Sequence, residues 1–75
     1  MAYRDIPIPP GSSNIQDVAY DDGAGVLQIR FLRGRTYLYY DVPGTVADGF
    51  TTSGMSAGQF FRGNVLNVFR YEQVA

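Results

Sequence analysis

Residues 26–40 read VLQIRFLRGRTYLYY, and the pairing of this stretch decides the fold. Leu27, Ile29 and Phe31 alternate with Gln28 and Arg30, the two-residue period of a half-buried strand. Gly34 interrupts the run, and Arg35 to Tyr40 resumes it with Thr and Tyr, which favour strands. A hairpin follows, with two registers open to it. A two-residue loop, Arg33–Gly34, would set Arg30 opposite Tyr37 and gather Gln28, Arg30, Arg35, Tyr37 and Tyr39 on one open face. A three-residue loop, Leu32–Gly34 with Gly34 left-handed, would move Tyr37 and Tyr39 to the core face with Leu27, Ile29 and Phe31 and expose Leu38. Arg-Gly lacks the Asn or Asp that a two-residue primed turn prefers.

Outward from the hairpin, Asn14 to Tyr20 suits a short strand, and the Asp-Asp-Gly-Ala-Gly run at 21–25 is a turn. Residues 1–12, with Pro7, Pro9 and Pro10, read as an extended arm, and residues 13–75 as a single domain. Downstream, Val42, Val46 and Phe50 keep helical spacing after Asp41, which is expected to start that helix, and Pro43. Gly44 and Gly49 keep the helix short. Ser56 with Gln59 forms a capping box for a second helix to about Gly63, with Met55 placed to staple onto Phe60. The β-branched and aromatic run Val65–Val74 reads as a closing strand. The expected architecture is α+β: a small antiparallel meander, two short helices and a closing strand, in the order β-β-β-α-α-β.

The inventory narrows the chemistry. The chain has 75 residues, 45% hydrophobic and 15% aromatic, with no Cys and no His. Thiol and imidazole chemistry are therefore closed to it, and so is zinc with its usual ligands. All basic residues are Arg, which removes Schiff-base chemistry as well. Asp21 and Asp22 form the adjacent carboxylate pair in a turn, so an acid–base enzyme is a third reading behind binding and assembly. No cofactor is expected. A net charge of −1 argues against long duplex DNA as a partner, and no apolar run approaches membrane-spanning length. A cytoplasmic protein is the expectation.

Several motifs, taken in order, resemble the KTSC family. They are Ser13-Asn14-Ile15, Val18-Ala19-Tyr20-Asp21, the central Tyr37-Leu38-Tyr39, Val42-Pro43, then Ser56, Gly58, Phe60 and Phe61, and the close at Phe69, Tyr71 and Val74. The match covers about residues 12 to 74. Ala19, Arg62 and Arg70 stand where the family usually has Gly, Asn and Pro. KTSC domains occur alone in bacteria and phages and at the C-terminus of some lysyl-tRNA synthetases, so the resemblance implies RNA binding without implying an enzyme.

The candidate ligand-binding residues are Arg30, Arg35, Tyr37, Tyr39 and Arg62. Phenol faces stack on bases and guanidiniums grip phosphate, a pairing that suits RNA or a small nucleotide. Each has a plainer role: the tyrosines as packing, Arg62 as a complement to a helix dipole, and Ser13 and Asn14 as turn caps. The alternative function is a protein-interaction or homo-oligomeric domain with the tyrosines in its core and the closing strand as an edge.

Overall fold

The computed structural model describes residues 2–10 and 14–75. Its five strands form one antiparallel sheet in chain order: β1 (Arg4–Ile6), β2 (Ile15–Asp21), β3 (Val26–Phe31), β4 (Thr36–Tyr39) and β5 (Tyr71–Gln73). Helices α1 (Gly44–Thr52) and α2 (Ala57–Asn64) lie between β4 and β5 in the chain. They bring Ala47, Phe50, Ala57, Phe60 and Phe61 onto one face of the sheet, against Ile6, Val18, Tyr20, Leu27, Ile29 and Tyr39. The α+β meander with two helices and a closing strand is present, with one strand more than expected. That strand, β1, comes from the proline-rich arm, where Arg4, Asp5 and Ile6 pair with Tyr20, Ala19 and Val18.

The hairpin takes the three-residue loop. Leu27 pairs with Tyr39, Ile29 with Tyr37 and Arg30 with Thr36. The Phe31 N–H donates to the Arg35 carbonyl at 2.8 Å, and Gly34, at φ 87°, donates to the Phe31 carbonyl at 2.9 Å. Only one residue of this loop needs a left-handed backbone, and the glycine supplies it. A two-residue primed turn would ask more of Arg33. The open platform of Arg30, Arg35, Tyr37 and Tyr39 therefore does not form.

Two other expectations are corrected. Val65–Arg70 is not a strand. Val65 closes α2 by donating its N–H to the Phe61 carbonyl, and the chain reverses through Asn67 at φ 63° before β5 begins at Tyr71. Asp41 does not start α1. It sits at φ 58°, two residues before Pro43, which occupies the N-cap without a side-chain bond.

Hydrogen bonds join the β2–β3 turn to the entry of α1. Tyr20 is 3% exposed, and its hydroxyl donates to the Val42 carbonyl at 2.6 Å. The Val42 N–H donates to the Gly25 carbonyl at 2.9 Å. Asp21 is buried and accepts from the Gly23 and Ala24 N–H groups, at 3.0 and 3.2 Å, so its carboxylate is committed to the turn. At the surface, Arg4 reaches both Asp22, at 2.7 Å, and Asp48, at 3.1 Å, linking β1 to the turn and to α1. These bonds from Arg4 hold the Asp22 carboxyl below its ordinary range. Ser56 caps α2 as expected, accepting the Gln59 N–H at 3.2 Å, while Met55 is 39% exposed.

Gly49 sets how closely the helices approach. A Cβ there would stand 2.3 Å from Cζ of Phe60, whose ring packs 4.7 Å from that of Phe50. Gly49→Ala improves helix propensity by up to about 1 kcal/mol, yet it overpacks this contact at a cost of about 1–3 kcal/mol. The expected outcome is a lower urea midpoint for the variant, and an unchanged or higher midpoint would show that the Phe60 ring yields freely.

A candidate ligand-binding cavity

The register sends Tyr37 and Tyr39 to the helix face, beside Phe31, with Tyr71 of β5 directly opposite Tyr39. Phe61 reaches the same place from α2. These five rings close a circuit. Phe31 meets Tyr37 edge-on at 5.6 Å, Tyr37 meets Tyr71 at 5.7 Å, and Tyr71 meets Tyr39 at 5.6 Å. Tyr39 then meets Phe61, and Phe61 meets Phe31, each edge-on at 5.7 Å. Edge-to-face pairs at such spacings contribute about 0.5–1.5 kcal/mol each beyond area burial. These rings, with Asn14, Arg35 and Leu66, line an open cavity of about 210 Å³.

The polar groups at this cavity are unevenly satisfied. The Tyr37 hydroxyl donates to Oε1 of Gln73 at 3.3 Å. Tyr39 is 2% exposed, and its hydroxyl, with no hydrogen bond among the described residues, is the part of it that reaches the cavity rather than a sealed, unsatisfied group. Burial, reinforced by the neighbouring Tyr37 and Tyr71 phenols, pushes its pKa up to about 12. Arg35 is exposed and enters none of the ion pairs among the described residues.

Of the five candidate residues, Arg35, Tyr37 and Tyr39 are brought together here. Arg30 is not, because it projects from the opposite face, where it lies 3.6 Å from Asp17. Arg62 is exposed in the last turn of α2 and does not line the cavity. Asn14, weighed above as a turn cap, stands at the rim, whereas Ser13 lies outside the described residues. Leu66 and Tyr71 escaped the sequence reading as site residues. Only the pairing of Tyr71 with Tyr39, across more than thirty residues of chain, could have revealed the latter.

The Tyr39 shift carries a pH consequence. Its folded-state value lies above the ordinary 10, so the folded state keeps a proton that the unfolded chain has lost between about pH 10 and 12. The contribution to stability is constant below pH 10 and lost as pH rises towards 12, by about 2–3 kcal/mol. Alkaline denaturation should accordingly shift to higher pH in Tyr39→Phe, and tyrosinate absorbance should lose its latest-titrating phenol in that variant, while Tyr3, Tyr20 and Tyr40, also raised, remain.

Comparison with known proteins agrees with this architecture. A model of the KTSC domain matches residues 11–69. A protein of Tsukamurella paurometabola is 42% identical over 62 residues, which cover 83% of this chain and 91% of that one. The crystal structure of a KTSC domain protein from Yersinia pestis superposes with a TM-score of 0.80 at 32% identity, over 99% of this chain and 100% of the other. The fold of the meander and its two helices is thus held in common with a known family, and this chain belongs to the KTSC domain family.

Proposed function

We propose that this KTSC domain is a non-enzymatic, cytoplasmic binding module for a nucleotide-bearing ligand, either single-stranded RNA or a small nucleotide. The supporting observation is the cavity of about 210 Å³ lined by these aromatic rings and by Arg35, which enters no ion pair among the described residues. A base is flat, apolar on its faces and polar at its edge. The Tyr37 and Tyr71 rings offer stacking surface, and the Tyr39 hydroxyl, without a hydrogen bond among the described residues, and the Asn14 amide offer groups for the base edge. Arg35 would take a phosphate in a bidentate grip. The acidic residues of the turn give no competing reason to read an enzyme, since Asp21 holds backbone N–H groups and Asp22 holds Arg4.

The ribonucleoside monophosphates and a short single-stranded RNA are the probes, with calorimetry as the readout. Tyr71→Ala removes one exposed stacking ring and should weaken binding by about 1–3 kcal/mol. Arg35→Ala removes the phosphate contact and should cost about 1.5–3 kcal/mol. Arg30→Ala and Arg62→Ala should leave affinity unchanged. Absence of binding to every probe would overturn the reading, as would affinity indifferent to Arg35 and Tyr71.

A further inference from the structure

The sheet has two edges, and they are protected differently. The β1 edge leads into Pro7, Pro9 and Pro10 and is tied down by Arg4 to Asp22 and Asp48, while the Pro7 carbonyl accepts from the Thr51 hydroxyl. Proline and charge are common devices for blunting an edge. The β5 edge contains no proline. The Tyr40 N–H donates to the Arg70 carbonyl and the Val74 N–H to the Thr36 carbonyl, each at 2.9 Å, so even-numbered residues turn their main chain towards β4. Alternate residues of a strand point their N–H and C=O groups to opposite sides. Tyr71 and Gln73 therefore turn theirs outward, where no strand lies among the described residues.

Exposed apolar side chains flank this strand in the chain, and Leu66 lines the cavity with Tyr71. Leu66, Val68, Tyr71 and Val74 are 37%, 61%, 56% and 49% exposed. On the face away from the helices, charge alternates along β5. The Arg70 guanidinium, just before β5, lies over the Tyr40 ring, 5.2 Å from its centroid, and 3.9 Å from the Asp41 carboxylate in an exposed pair that leaves donors free, and Glu72 accepts the Tyr40 hydroxyl at 2.7 Å.

We infer that β5 is a pairing edge for a second copy of this chain, joined antiparallel about a two-fold axis at Tyr71. Self-complementarity selects this occupant and this register. Centring on Tyr71 places Arg70 of each copy opposite Glu72 of the other, two ion pairs on one face of the seam. Centring on Glu72 would oppose two carboxylates. On the helix side, Tyr71 meets its counterpart with Leu66 and Val68 alongside, covering apolar surface that a chain this small buries poorly alone. Because Tyr71 and Leu66 also wall the cavity, pairing braces that wall.

Sedimentation equilibrium of the full chain, from micromolar to millimolar, tests the inference, and a dimer is expected. Arg70→Glu and Glu72→Arg each create two like-charge oppositions and should weaken dimerisation about tenfold or more. The double exchange should restore it. Gln73→Pro removes an outward N–H and leaves the main-chain bonds to β4, although it takes from the Tyr37 hydroxyl its acceptor on Gln73. It should also weaken the dimer, and it serves if a charge variant fails to fold by circular dichroism. A monomer at every concentration overturns the inference, as does any oligomer indifferent to these substitutions.

Discussion

Parity in the loop Leu32–Gly34 controls the rest of the molecule. Side chains alternate across a strand, so one residue more or fewer in this loop would exchange the two faces of β4 relative to β3. With three residues, Tyr37 and Tyr39 join Ile29 and Leu27 beneath the helices, and Arg30 faces the opposite side. The left-handed backbone of Gly34 is what allows three residues to close the turn. The core, the aromatic circuit and the separation of Arg30 from the tyrosines all depend on that conformation.

The cavity draws on segments far apart in the chain. Phe31 and Tyr37 flank the hairpin, Phe61 comes from α2 and Tyr71 from β5. Their relative positions are fixed away from the cavity, at the junction where Tyr20, Gly25 and Val42 exchange hydrogen bonds and set the direction in which the chain enters α1. Gly49 then admits the Phe60 ring and brings α2 close. Charge plays a quieter part. Arg4, Arg30 and Arg70 each stand near an aspartate, which leaves Arg35 as the guanidinium at the cavity free of an ion pair among the described residues.

Much of this was legible in the residues themselves. The alternation of Leu27, Ile29 and Phe31, the Asp-Gly turn and the Ser56 cap are local signals, and local geometry honours them. The faces of Tyr37 and Tyr39 were not legible, because the two registers differ by one loop residue, and the poor fit of Arg-Gly to a primed turn was offset by the exposure of Leu38 in the other register. The strand β1 was masked by the prolines that follow it at 7, 9 and 10, and its three residues are too few to carry a periodicity. Val65–Arg70 misled through composition. Its β-branched residues favour a strand, but the helix end and the need to bring β5 alongside β4 require a reversal there. Tyr71 belongs to the site only through a pairing that no local pattern encodes.

The brevity of the two helices has a consequence for the order of assembly. With nine and eight residues, and glycine at 49, 58 and 63, neither is long enough to persist alone in water. Each needs an apolar surface to form upon, and the β2–β3–β4 meander, built from neighbouring hairpins, supplies it at low cost in chain entropy. The helices condense on that surface, and only then can the chain return to lay β5 against β4. The ring of aromatics is closed by Phe61 of α2 and Tyr71 of β5, so the cavity exists only while both are docked, and it opens when the C-terminal segment peels away.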